Sequence, residues 1–235
     1  MKRLLAAIML LPMGHGAFAQ AKTNPVVVVG AMKNVMWKGQ LQGTIQLDTI
    51  APRAHLYGLG PLEQLAGEIL IVNGRSYQAT LLSDTAMHVQ ETYAGKAPFF
   101  SYGHVERWAE QALPDSIQSI RQLELFLSKV ASGRTQPFFF QLTATVQSAT
   151  IHVVNLPKGA TVRSPEQAHL GRKFFALQGD AVEILGFFST EHKSIFTHHD
   201  TFLHMHLMTT DRRKMGHLDQ AVFMPGTLKL FLPAG

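Results

Sequence analysis

Metal-type side chains are most concentrated near the C-terminal end of the chain. Six of the twelve histidines fall between His192 and His217, and the 235 residues include no cysteine. Within Phe202-Leu203-His204-Met205-His206-Leu207-Met208, a β-strand would put His204 and His206 on one face, about 7 Å apart along the backbone. Thr209–Lys214 supplies polar turn residues, and His217-Leu218-Asp219-Gln220-Ala221-Val222 returns as a second strand. A turn centred between Asp211 and Arg212 sets His206 directly opposite His217. Opposed Cβ atoms of an antiparallel pair stand only about 4.5–5.5 Å apart, so three imidazoles converge. Three His with no fourth protein ligand is the pattern of a catalytic zinc site, whose open position takes water or substrate. The competing reading is three ordinary histidines on a hairpin. A register slip of one residue would turn His217 to the opposite face and dissolve the site.

The remaining histidines carry weaker signals. His198 and His199, in a Thr-His-His-Asp loop before the strand, are candidates to support the site. His55, His88, His104, His152, His169 and His192 are isolated in sequence and read as surface or hydrogen-bonded interior residues. Without cysteine there is no disulfide framework, thiolate-ligated metal or thiol nucleophile. The charge balance, 21 basic against 16 acidic residues, comes from few acids, not from a basic patch. Arg212-Arg213-Lys214 is the densest run and falls in the expected turn, so no nucleic-acid partner is expected.

The N-terminus reads as a signal peptide over residues 1–19. Lys2 and Arg3 precede the apolar run Leu4–Leu11, and Ala17-Phe18-Ala19 is an A-x-A cleavage site. The mature chain is expected to begin at Gln20 and to be periplasmic or secreted, with no membrane partner, since no stretch of 18 apolar residues follows.

Several elements must position these residues. With 46% hydrophobic and 16% charged residues, the chain can bury a full core. Pro and Gly are spread throughout, which points to many short elements. Val26–Val29 reads as an early strand and Gly60–Gly67 as a short helix with Pro61 in its first turn. Glu68–Val72 and Arg75–Leu82 form a hairpin around Asn73-Gly74. Ser116–Ala131 is the clearest helix, with Asp115 as its cap and Ile117, Ile120, Leu123, Leu127 and Val130 on one face. Beyond it 138–146, 150–155, 174–177, 181–188, 202–208, 217–223 and 227–232 all read as strands. The class is therefore α+β, strand-rich, with two sub-domains near 20–135 and 136–235. The first is mixed and the second sheet-rich.

Several motifs, in order, resemble the acetolactate decarboxylases. Tyr57-Gly58-Leu59-Gly60, then Gly67-Glu68, the strand Ile69–Val72, Gly74 and Tyr77-Gln78 are similar to that family's opening motif. Lys96-Ala97-Pro98-Phe99-Phe100 is similar to its next landmark. Leu185–Phe188, His204-Met205-His206, Asp211-Arg212 and Gly216-His217-Leu218-Asp219 resemble its zinc region. The likeness runs from about Leu56 to Phe231.

The resemblance implies a mixed sheet beside a small β-barrel with zinc between them, and 2-acetolactate, a 2-hydroxy-3-keto acid, decarboxylated to acetoin. It implies His204, His206 and His217 as zinc ligands, Glu68 as the carboxylate beside the metal, and a homodimer as the assembly. Two departures point to a divergent member. The family's Arg, roughly fifty residues before the first zinc His, has no counterpart in His152–Pro157, where Lys158 or Arg163 would have to substitute. The family's C-terminal tail with a second Glu has no counterpart after Leu232. Two other functions compete: a non-catalytic periplasmic module that kept the metal site for binding, and a zinc hydrolase with Glu68 as general base.

Overall fold

The computed structural model describes residues 26–234, so the expected signal peptide lies outside the described residues. The N-terminal elements are β1 (Val27–Val29), α1 (Met32–Lys38), β2 (Ile45–Gln46), β3 (Leu56–Pro61), β4 (Glu68–Val72), β5 (Arg75–Ser83) and β6 (Ala86–Glu91). There follow β7 (Lys96–Ala97), β8 (Phe100–His104), β9 (Trp108–Gln111), α2 (Ile120–Ala131) and β10 (Phe138–Val153). Last come α3 (Pro165–Ala168), β11 (Lys173–Leu177), β12 (Ala181–Phe188), β13 (Leu203–Thr209), β14 (Met215–Phe223) and β15 (Lys229–Pro233).

Two antiparallel sheets carry the fold. The first has the order β1-β8-β3-β4-β5-β6, and the second β12-β13-β14-β10-β15-β9 with β11 on β10. Because β10 also pairs with β12, strands β12, β13, β14 and β10 close into a small barrel. The α+β class with a barrel-like C-terminal part is what forms.

Side-chain parity sorts the core. On β13, Leu203, Met205 and Leu207 point into the barrel cluster, which also takes Leu123 and Leu127 from α2. His204, His206 and Met208 point the other way, toward the first sheet. The seam between the sheets is filled by Tyr57, Leu59 and Tyr77 from one side and Phe139, Phe187 and Met215 from the other.

Three local expectations change. The Gly60–Gly67 helix is instead the end of β3 and a single 3-10 turn over Glu63–Leu65, where Gln64 and Leu65 have φ of 61° and 49°. Pairing of Gly60 with Ile69 and Pro61 with Glu68 extends the strand through the first residues of that segment. Helix α2 begins at Ile120, capped by Ser119, whose hydroxyl accepts from the Gln122 amide. The preceding residues are taken by β14: Gln118 accepts from Phe223 N–H and Ser119 bridges Val222. The two expected strands 138–146 and 150–155 are one strand, β10, with a bulge between Val146 and Ser148. The exposed Gln147-Ser148 pair marks that bulge and reads in sequence as a break. The Asn73-Gly74 hairpin forms as expected, both turn residues having positive φ.

Gly67 immediately precedes Glu68 and has φ 158°; a Cβ there would collide with the Ala79 carbonyl on β5. Gly67→Ala is expected to lower stability by about 1–3 kcal/mol. Urea unfolding would register this as a reduced midpoint with an unchanged slope.

Candidate metal centre and active site

The strand pairing places the histidines as their spacing suggests. His206 lies opposite His217 in the β13–β14 register, with Leu207 opposite Gly216. Gly216 allows close packing, since a Cβ there would strike the His152 carbonyl on β10. All three histidines are buried, with one ring nitrogen each within 4.8 Å of the others.

Hydrogen bonds fix which nitrogens face inward. His204 donates from Nδ1 to the Phe196 carbonyl at 2.7 Å, which leaves Nε2 as a lone pair. That Nε2 stands 3.3 Å from Nε2 of His206. Two ligand nitrogens bound tetrahedrally at about 2.0–2.1 Å from one ion would be separated by about this distance. His206 Nδ1 lies toward the Ile69 carbonyl without forming a hydrogen bond of good geometry. The donor set, three buried imidazoles around one point, suits a transition-metal cation such as zinc.

Glu68 enters from the other sheet. Its Oε1 accepts from Val154 N–H at 3.2 Å, and its Oε2 lies 3.6 Å from His206 Nε2. Burial raises its pKa well above the usual carboxylate range. The same desolvation lowers the histidines: His206 to about 3, and His204 and His217 well below the ordinary value. At neutral pH the three imidazoles are therefore neutral, as metal ligation requires.

Further histidines ring the site. A cavity of about 30 Å³ is lined by Glu68, His204, His217, His152, His169 and His198, among others. It shares Met32, Met36, His169 and His198 with an outer cleft of about 80 Å³ beside α1, lined also by Lys33 and His199. His198 thus reaches the inner cavity, its ring 5.2 Å from that of His217, while His199 lines only the outer cleft. Lys158 and Arg163 are exposed and line neither space. A larger cavity of about 360 Å³ lies near Trp108, Gln141 and Phe231, and none of these histidines lines it.

The sequence assigns no site role to His152, His169 or Asp219, although Asp219 falls within the zinc-region motif. His152 Nδ1 lies 2.8 Å from both carboxylate oxygens of Asp219, and its ring is 4.8 Å from that of His217. The pair is 67 residues apart, joined only by the β10–β14 pairing. The one local signal is an acid two positions after a candidate ligand.

The sequence model of the alpha-acetolactate decarboxylase family matches residues 29–231. The chain belongs to that family. Its fold is similar to the alpha-acetolactate decarboxylase of Bacillus subtilis strain 168, with TM-score 0.67 and 18% identity over 88% of this chain and 83% of that one. It is equally similar to the acetolactate decarboxylase of Bacillus subtilis subspecies spizizenii, with TM-score 0.68 and 18% identity over 89% and 86%. A Staphylococcus aureus protein of unknown function, described as similar to alpha-acetolactate decarboxylase, aligns with TM-score 0.64 and 15% identity over 88% and 84%. No curated protein matches the chain. At these identities the structural likenesses carry the fold, and the family match carries the membership.

The depressed histidines make the metal-free protein acid-sensitive. Their folded pKa values lie below the unfolded value near 6.5, so the unfolded chain takes up protons first. Stability is then greatest above about pH 6.5 and falls as the pH drops toward the folded values, each histidine adding a slope of up to about 1.4 kcal/mol per pH unit. Glu68, shifted upward, acts in the opposite sense and offsets part of this. Urea unfolding of chelator-treated protein at pH 7.5 and 5.5 should show the loss, and added zinc should oppose it; equal stabilities would contradict the buried-neutral assignment.

Proposed function

We propose that this protein is a zinc-dependent decarboxylase of 2-acetolactate or a close 2-hydroxy-3-keto acid, releasing acetoin. The supporting observation is the buried His204–His206–His217 set, with Glu68 beside it, in a chain of the acetolactate decarboxylase family. His204, His206 and His217 would hold the ion, and zinc, when bound, supplies Lewis acidity toward the hydroxyl and ketone oxygens.

The chain's own groups do the rest. The seam between the sheets excludes bulk water. The C–C bond to the substrate carboxylate breaks, carbon dioxide leaves, and the electron pair moves toward the ketone oxygen to give an enediolate. Burial raises the Glu68 pKa well above the usual carboxylate range, which favours its protonated form and suits it to deliver a proton to carbon. Proton uptake from water through the cleft restores it. We also read the protein as exported, which the pattern from Lys2 to Ala19 supports; N-terminal sequencing of the natural product should begin at Gln20.

A non-catalytic binding module is the second reading. It is favoured by the exposure of Lys158 and Arg163, since among the described residues no ammonium or guanidinium then lines the inner cavity to hold a carboxylate. Turnover decides between them. Protein loaded with stoichiometric zinc is expected to release acetoin from racemic acetolactate, and His204→Ala/His206→Ala to lose both metal and activity. Glu68→Gln should retain zinc yet react about 100-fold or more slowly. Zinc without acetoin would favour the binding module.

A further inference from the structure

The inner cavity contains one polar arrangement that metal ligation leaves without a role. His152 is buried on β10, lines the cavity, and commits Nδ1 to Asp219. A carboxylate has no hydrogen to give, so Nδ1–H donates, and in the neutral ring the other nitrogen, Nε2, carries a lone pair. Among the described residues no protein donor reaches it. Phe174 and His169 wall the ring at centroid distances of 5.9 and 6.5 Å, and His217 stacks at 4.8 Å.

Asp219 owes its position to a bulge. Thr150 pairs with Gln220 and Ile151 with Leu218, which leaves Asp219 as the extra residue of β14. Before the bulge Met215 and His217 face the seam; after it Ala221 and Phe223, of the same parity, face the barrel. The inserted residue sets a carboxylate beside His152.

We propose that His152, oriented by Asp219, accepts a hydrogen bond from the ligand's hydroxyl and so makes the cavity selective for 2-hydroxy acids over their keto and alkoxy analogues. The choice of ligand class rests on the decarboxylase reading above. A 2-hydroxy-3-keto acid has carboxylate and ketone oxygens that only accept, so its hydroxyl is the single donor available to a lone pair. An analogue without that donor leaves Nε2 unpaired in a desolvated cavity, which costs binding. His152 is a positioning residue here, and no bond to carbon is made or broken through it.

Long-range nitrogen–proton NMR of the full chain tests the tautomer directly. His152 is expected as Nδ1–H with a bare Nε2, and an Nε2–H form in the unsubstituted protein would overturn the proposal. Calorimetry with zinc-loaded protein tests the selectivity, using unreactive 2-hydroxyisobutyrate against 2-methoxyisobutyrate. The hydroxy acid should bind about tenfold or more tightly. Asp219→Asn, whose amide can donate to Nδ1 and turn Nε2 into a donor, should erase that preference while zinc content stays the same. His152→Phe should erase it too, and a preference intact in both variants would refute the assignment. Absence of acetoin alongside the expected tautomer and selectivity would remove the decarboxylase reading and leave this one standing.

Discussion

Desolvation of four polar side chains at the seam between the two sheets is the constraint on which the site depends. Glu68, His204, His206 and His217 come from different sheets, yet each is almost fully buried. Unpaired, such groups would cost the fold several kcal/mol. Part of that cost is relieved by the Phe196 carbonyl and the Val154 amide. What these bonds leave unresolved, two imidazole nitrogens facing each other at 3.3 Å, a bound cation would resolve. The same exclusion of water that keeps the imidazoles neutral also raises the pKa of Glu68. The neutrality of the imidazoles and the raised Glu68 pKa thus have one physical source, and the tight packing of Tyr57, Phe139 and Phe187 maintains it.

How much of this was legible in the sequence follows from range. The His206–His217 pairing could be read because the two strands are joined by a short turn, and turn geometry fixes register. The Asn73-Gly74 hairpin could be read for the same reason. Glu68 was indicated only by family likeness, because nothing local says that the start of β4 will meet a strand from the other sheet. The contact of His152 with Asp219 was invisible because it needs β10 and β14, far apart in the chain, to align through an irregular register. Where local signals failed, tertiary pairing had overridden them. Residues before Ile120 could cap or extend a helix, but β14 takes them. Residues 60–67 carry helix-start signals, yet strand pairing and positive φ at Gln64 and Leu65 prevail.

The two basic residues that soon follow β10, Lys158 and Arg163, are exposed. Neither Lys158 nor Arg163 lines the inner cavity, and among the described residues no lysine or arginine does. Lys33 lines the outer cleft, on a helix whose first amides bond the carbonyls of Ser194 and Ile195, and Arg172 stands close enough to His169 to lower its pKa. Imidazoles occupy the wall instead.

The two bulges have a consequence for how this barrel can vary. Gln147 on β10 and Asp219 on β14 each reset the alternation of inward and outward positions, so the two ends of each strand run out of phase. On β14 the odd-numbered residues face the seam before the bulge and the barrel after it. Substitutions on either side are insulated from one another, because neither can rotate the other's side chains. A change in length is not insulated: gaining or losing one residue between His217 and Ala221 would force the chemical end or the packed end onto the wrong face. The site is therefore tolerant of drift in composition and intolerant of drift in count.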